Sequence, residues 1–386
     1  MLSKRLLLKF AIAAAGFGFR SPSVVADGEA AGTTGERTAA RWLMPDEAGK
    51  HERTWMAFGP STKIWGTRLV PEVRRNLALI ANTISAFEPV TMLVRHAEVA
   101  IAKRLLSADV EVLSCPLDDL WIRDSGPVFV LGSGGASAAV DFNFNGWGGK
   151  QTSAQDAAIA QFVCERAGVV CRRTKWVLEG GGIEVDGDGT AIISESCVLN
   201  RNRNPLGRRL GVHTALELKV SCERELHRLL GVRKVLWLPG IAGKDITDGY
   251  TDFYARFATP GQVIAGFDPD PASFDHRATQ RHLELLRGAT DARGRKFGLR
   301  VLMAPENVRP AFESPDFAAG YVGFYVCNGA VVAQEFGDAA ADEAALFTLQ
   351  QSFPGRRVVQ LNVDGIAAGG GSVHCATQQQ PVHAGV

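Results

Sequence analysis

Cys375 stands at the end of Gly369-Gly370-Gly371-Ser372-Val373-His374-Cys375, with glycines on one side and polar residues on the other. Three further segments place carboxylates and glycines where strand-like runs begin. Trp121-Ile122-Arg123-Asp124-Ser125-Gly126-Pro127 enters an apolar stretch, and Glu179-Gly180-Gly181-Gly182 precedes Ile183-Glu184-Val185. Asp248-Gly249-Tyr250-Thr251-Asp252 leads into Phe253-Tyr254-Ala255-Arg256-Phe257. Glycine at such points lets backbone approach a ligand closely or take a positive φ. Each segment taken alone reads as a turn. Together they supply carboxylates and one thiol at no metal-binding spacing, a set suited to a cationic substrate attacked by a thiolate.

These segments need elements to position them. Strands are expected at 90–94, 110–113, 127–131, 138–144, 182–185, 191–193, 234–238, 263–265, 323–332 and 358–363. Helical periodicity falls between them, at 70–87, 97–106, 154–168, 216–230, 274–287 and 342–351. The alternation makes the class α/β, with about five strand-rich, helix-bearing groups in one catalytic domain from 41 to 382. Asp186-Gly187-Asp188-Gly189 reads as a hairpin turn, because later ligands at EF-hand spacing are missing. Arg201, Arg203, Arg208 and Arg209 read as a solvated or ion-paired loop, and no G-x-G-x-x-G precedes a helix.

The chain has 386 residues, 46% apolar and 22% charged, enough to bury a sizeable core. With 42 basic and 41 acidic side chains the net charge is +1, so no global field favours nucleic acid or an acidic membrane. No apolar run reaches the length of a spanning helix. Lys4 and Arg5, the apolar stretch Leu6–Phe19 and the small residues near Ala26 make 1–26 read as a secretory signal of twin-arginine-like type. Residues 27–40 then form a flexible mature N-terminus, and the protein is expected to be exported, periplasmic or secreted. The seven cysteines form no CxxC pair, and their odd number leaves at least one without an intrachain partner.

The segments resemble the agmatine deiminase family of guanidine-modifying enzymes, which includes the bacterial-type peptidylarginine deiminases. The resemblance runs from Met44-Pro45 and His51-Glu52-Arg53-Thr54-Trp55-Met56 through Trp121–Pro127, Asp141–Gly149, Glu179-Gly180-Gly181 and Asn200-Arg201-Asn202-Arg203-Asn204-Pro205 to Gly369–Pro381. It implies a five-bladed α/β propeller around a central site. It also implies that Asp124 and Asp252 grip the guanidinium while Cys375 attacks its central carbon. Ammonia would leave, and water would hydrolyse the thiouronium-type intermediate. No cofactor or metal is implied; the partner is a small guanidinium substrate or an arginine peptide, and a homodimer fits the family. Agmatine, giving N-carbamoylputrescine, is the first expectation. Trp121 is a candidate pocket wall and Asp119 a supporting partner or a solvated loop carboxylate.

Tyr250 departs from this pattern. The family places histidine there as proton shuttle, oriented by the residue matching Glu179, whereas an ordinary phenol titrates near 10 and is a weak base at neutral pH. Glu179 is then expected to face a phenol. His374, read as a strand residue pointing away from Cys375, is not expected to substitute. Three explanations follow: a slow enzyme, a binding-only relative, or a sequence changed at this position. The family's Ser-Tyr-x-Asn is replaced by Gly320-Tyr321-Val322-Gly323, and the aromatic expected after Met-Pro is missing around Ala48-Gly49.

Overall fold

A computed structural model describes residues 42–382; the expected export signal and flexible N-terminus lie outside the described residues. All six periodic stretches fold as helices. Ala215–Leu230 shows why its ends fall where they do. Thr214 and Glu217 form a reciprocal capping box at its start, and Gly231 closes it with φ 71°. The helix Thr62–Ser85 begins earlier than its periodicity suggests, bending at Gly66 and carrying Pro71.

Strands build five sheets on one plan, an antiparallel pair followed by a parallel neighbour reached through a helix. The first joins Val128–Gly132, Ser137–Asp141 and Val170–Arg173, with Ile159–Ala167 as the crossover and Trp42–Leu43 added at its edge. The second joins Ile183–Val185, Thr190–Ser194 and Lys234–Leu238 across Ala215–Leu230. The third uses Ala255–Thr259, Gln262–Phe267 and Gly298–Met303 with His276–Gly288; the fourth uses Tyr325–Cys327, Ala330–Gln334 and Arg357–Leu361 with Ala339–Ser352. The fifth pairs Gln378–Pro381, from the end of the chain, with His51–Phe58, then adds Val90–Val94 and Val110–Ser114. Parallel neighbours cannot be joined by a tight turn, so each unit needs its helix. These are the five blades of an α/β propeller, closed by pairing between the two ends of the described chain.

Two expected strands change. The stretch 323–332 is a hairpin, Tyr325–Cys327 paired with Ala330–Gln334. Its two-residue loop, Asn328-Gly329, carries the Asn-Gly signature of such turns, with Gly329 at φ 79°. The strand expected at 138–144 stops at Asp141, whose Oδ1 accepts from Asn143 N at 2.9 Å while Asn143 takes φ 56°. His51–Phe58 escapes alternation because it is covered on both faces. The Asp186–Gly189 turn is the expected hairpin, with Asp186 Oδ1 accepting from Asp188 N and Thr190 N, both at 2.8 Å. No helix among the described residues is long and apolar enough to cross a membrane.

Candidate active site

A short turn precedes the first strand of every blade. These are Ile122–Ser125, Gly180–Gly182, Thr251–Tyr254, Tyr321–Gly323 and the turn 373–376. The plan repeats, so the turns converge, and they carry Asp124, Asp252 and Cys375, with Glu179 and Tyr250 immediately before the second and third. Glycine is what lets the turns meet. A Cβ at Gly181 would stand 2.5 Å from the Tyr250 ring and 3.1 Å from Asp252 Oδ2; one at Gly180 would meet Arg123 O at 2.5 Å. A Cβ at Gly369 would meet the Trp65 ring, and one at Gly371 the Trp121 ring, each at 2.2 Å. Trp121 therefore backs the turn that carries Cys375, and its ring lies 5.6 Å from that of Trp65.

The Cys375 thiol is 4% exposed, 3.6 Å from Asp252 Oδ2 and 3.3 Å from Ser372 Oγ. Burial, then the charges of Asp252 and Asp124, push it well above the ordinary thiol range. Both effects favour the uncharged thiol. Asp124 is raised as well, by burial first and then by Glu179 and Asp252. An arriving cation reverses both effects, since opposite charge favours the thiolate and the carboxylates alike.

Buried polar atoms without a hydrogen-bond partner gather here: Asp124 Oδ1, Asp252 Oδ1, the Tyr250 hydroxyl and Trp147 Nε1. Trp147 is held in place by backbone at φ 55°, sparsely populated for a bulky residue, in a turn whose Gly148 packs on Asn202. Tyr250 is fully buried, and its phenol is raised well above 10 by burial and by Asp124 and Glu179. It is a donor and no base.

Glu179 does not engage that phenol as expected. Arg203 Nε donates to both its oxygens, at 2.8 and 2.9 Å, and Arg203 Nη1 also meets Asp248 Oδ2 at 2.8 Å. Arg203 is thus a buried ion-pair hub, so of the two readings, solvated or ion-paired, the ion-paired one holds for it. Asp119 is no solvated carboxylate either. At 1% exposed it accepts from Trp65 Nε1 at 2.7 Å and Gln151 Nε2 at 2.9 Å.

His374 also corrects the sequence reading. The segment 373–376 is a turn, so strand alternation does not apply, and the ring reaches Asp252. Its Nδ1 lies 2.7 Å from Asp252 Oδ2 and its Nε2 2.9 Å from Glu47 Oε2. Glu47 is the residue that sequence reasoning missed. It also takes Arg123 Nη2 at 2.9 Å, Arg256 Nη2 at 2.8 Å and Val326 N at 2.8 Å. Burial alone would raise its carboxyl, but Arg256, His374 and Arg123 hold it well below the usual range. Its position just after Met44-Pro45 was the one available signal.

The profile of the Porphyromonas-type peptidyl-arginine deiminase family matches residues 43–381. A Streptomyces coelicolor protein, named provisionally as an agmatine deiminase, is 40% identical over 346 residues, covering 88% of this chain and 98% of its own. The agmatine deiminase of Pseudomonas aeruginosa strain UCBPP-PA14 is 34% identical over 361 residues, covering 88% and 95%. The solved agmatine deiminase of Enterococcus faecalis superposes with a TM-score of 0.80 at 32% identity, covering 89% of this chain and 96% of that one.

Proposed function

The chain belongs to the Porphyromonas-type peptidyl-arginine deiminase family, and on that premise we propose that it hydrolyses agmatine to N-carbamoylputrescine and ammonia. The observation that carries this is the pair of buried, unpartnered oxygens, Asp124 Oδ1 and Asp252 Oδ1, beside the Cys375 thiol. Two carboxylates can take the N–H edges of a planar guanidinium through charge-assisted hydrogen bonds. The agmatine deiminases among its relatives support the choice of substrate.

In this reading substrate binding ionises Cys375. The thiolate adds to the guanidinium carbon, forming a C–S bond, and a C–N bond breaks to release ammonia. Water then adds to the thiouronium carbon and the C–S bond breaks, leaving the ureido product and regenerating the thiol. Asp252 Oδ2, 3.6 Å from Sγ, is the near acceptor for the thiol proton. Tyr250 can donate to a leaving amine but accepts a proton poorly, so the water step runs slowly. No metal or organic cofactor enters this chemistry. From residues 1–26 we also infer export, which mass spectrometry of the secreted or periplasmic chain tests, and from the family a homodimer, which light scattering tests.

Ammonia release from agmatine is expected from the wild type and absent from Cys375→Ala. Equal traces from both would overturn the nucleophile. Reactivity should also separate by charge. A neutral alkylating agent should react slowly at pH 7 and faster as pH rises, because burial and the two aspartates favour the protonated thiol; a cationic haloacetamidine should react readily at pH 7. The family description favours peptidyl-arginine as a second substrate, which predicts citrulline in arginine peptides with little turnover of agmatine. Tyr250 favours a non-catalytic guanidinium binder, which predicts saturable binding without ammonia.

A further inference from the structure

Gln334 ends the strand Ala330–Gln334 and is 2% exposed, yet both its amide oxygen and its amide nitrogen lack a hydrogen-bond partner. Buried polar groups are nearly always paired, and a group left open asks for a reason. Its place supplies one. The point where a Cβ would stand on Gly323 is 3.6 Å from Gln334 Oε1 and 2.4 Å from Ser372 Oγ, and that hydroxyl is 3.3 Å from Cys375 Sγ. Gly323 belongs to the fourth blade's turn, and its carbonyl accepts from His374 N at 3.0 Å. This turn is the one that brings no charged or amide side chain to the centre, since it reads Gly320-Tyr321-Val322-Gly323. The bare backbone at Gly323 lets the Ser372 side chain pack directly against it, since a Cβ there would stand 2.3 Å from Ser372 Cβ, and the Gln334 amide oxygen flanks that contact.

We infer that Gln334 is a specificity residue of this site, its amide oxygen accepting a hydrogen bond from the primary ammonium at the far end of a small alkylguanidine. The inference rests on the deiminase reading above. Asp124 and Asp252 take the guanidinium whatever its tail, so they cannot tell an ammonium from a methyl group. An amide at the other end can, because a methyl leaves it unpaired.

The test is protection of Cys375 from chloroacetamidine, a tail-less cation, by agmatine or by pentylguanidine, which replaces the ammonium with a methyl group. Wild type should be half-protected by agmatine at a concentration at least about 10-fold lower than by pentylguanidine. In Gln334→Leu the agmatine value should rise about 10- to 100-fold, the effect of one hydrogen bond to a charged group, and the preference should collapse. The variant should also melt higher than wild type, because an unsatisfied amide gives way to an apolar side chain of similar volume. Gln334→Met should behave in the same way. A preference for agmatine that survives both substitutions, or a drop in melting temperature with equal loss of both ligands, would overturn the inference and mark Gln334 as structural. If wild-type Cys375 is protected by neither guanidine and releases no ammonia, the deiminase reading itself fails. Protection by arginine peptides alone would likewise remove the ammonium as the tail.

Discussion

The two oxygens of Asp252 belong to two different kinds of structure. Oδ2 touches the Cys375 thiol but is anchored on the supporting side, where His374, Glu47, Arg123, Arg256 and Gln379 hold one another: Arg123 Nη1 donates to Gln379 Oε1 at 2.6 Å, Arg256 Nε meets Glu184 Oε2 at 3.2 Å, and Glu184 Oε1 accepts from Phe257 N at 2.8 Å. Oδ1 has no hydrogen-bond partner, and the same is true of Asp124 Oδ1, the Tyr250 hydroxyl, Trp147 Nε1 and the Gln334 amide, which make up the open side. Burial is alike on both sides. The difference is who pairs with these groups: behind Asp252 the charges pair with one another, Arg256 Nη2 with Glu47 Oε1 as an ion pair at 2.8 Å without a hydrogen bond, whereas the open atoms have no hydrogen-bond partner among the described residues. A buried charge without partners costs several kcal/mol, so the open side is tolerable only where a ligand repays that cost on binding, while the supporting side must be complete beforehand because it fixes where the open atoms point. The comparison predicts that changes on the open side alter reaction and specificity, and that changes behind it alter folding.

The largest expected effect is at Tyr250. Tyr250→His restores a group that titrates near neutrality between Glu179 and Asp124, and ammonia release from agmatine should rise by about 10²–10⁴-fold. The comparison sharpens if thermal stability scarcely moves, since an unpartnered phenol contributes no hydrogen bond. No gain in rate would mean that Arg203, by occupying both oxygens of Glu179, prevents it from orienting the new ring.

On the supporting side, Glu47→Leu should destabilise the fold by about 3–5 kcal/mol, because Arg256 and Arg123 would be left as buried cations without their shared carboxylate and the His374 ring would lose its contact to it. Denaturant unfolding measures this. A loss below 1 kcal/mol together with a large fall in turnover would break the comparison and place Glu47 among the reacting groups.

The same division explains what could be read in the chain itself. Cys375, Asp124 and Asp252 are legible because a reacting thiol and substrate carboxylates must sit on turns, and turns announce themselves through glycine and strand onsets. Helices such as Ala215–Leu230 and His276–Gly288 are legible because one stripe of each is buried against a sheet. Glu47 is not, because its partner His374 lies 327 residues away and only the closure of the fifth blade brings them together. Gln334 looks like the last residue of an apolar strand, and nothing local says that its amide goes unpaired. His374 was misjudged through its backbone: alternation is a rule for strands, and 373–376 is a turn. The Asn328-Gly329 turn is a local signal for its hairpin, and the apolar residues on both sides make the stretch 323–332 read as one strand.

The smallest of the expected effects tests the border between the two sides. Asp119 ties Trp65, which packs on Gly369, to Gln151, and burial pushes its carboxyl up to about 6 despite those two hydrogen bonds. A carboxyl raised on folding makes the folded state the tighter proton binder. Its contribution to stability is therefore full below the unfolded value of about 4 and is lost as pH rises through about 6. Over that window the loss is roughly 2 kcal/mol. Asp119→Asn keeps an oxygen for Trp65, and Gln151 can turn its amide to accept from the new nitrogen, so the contacts persist while the titration vanishes. The melting temperature of Asp119→Asn should then vary less between pH 4.5 and 7.5 than that of the wild type, with the two closest at the acidic end. Equal slopes would mean that the Asp119 carboxyl is already ionised at pH 4.5, and that Trp65 is held by a charge belonging to the completed side.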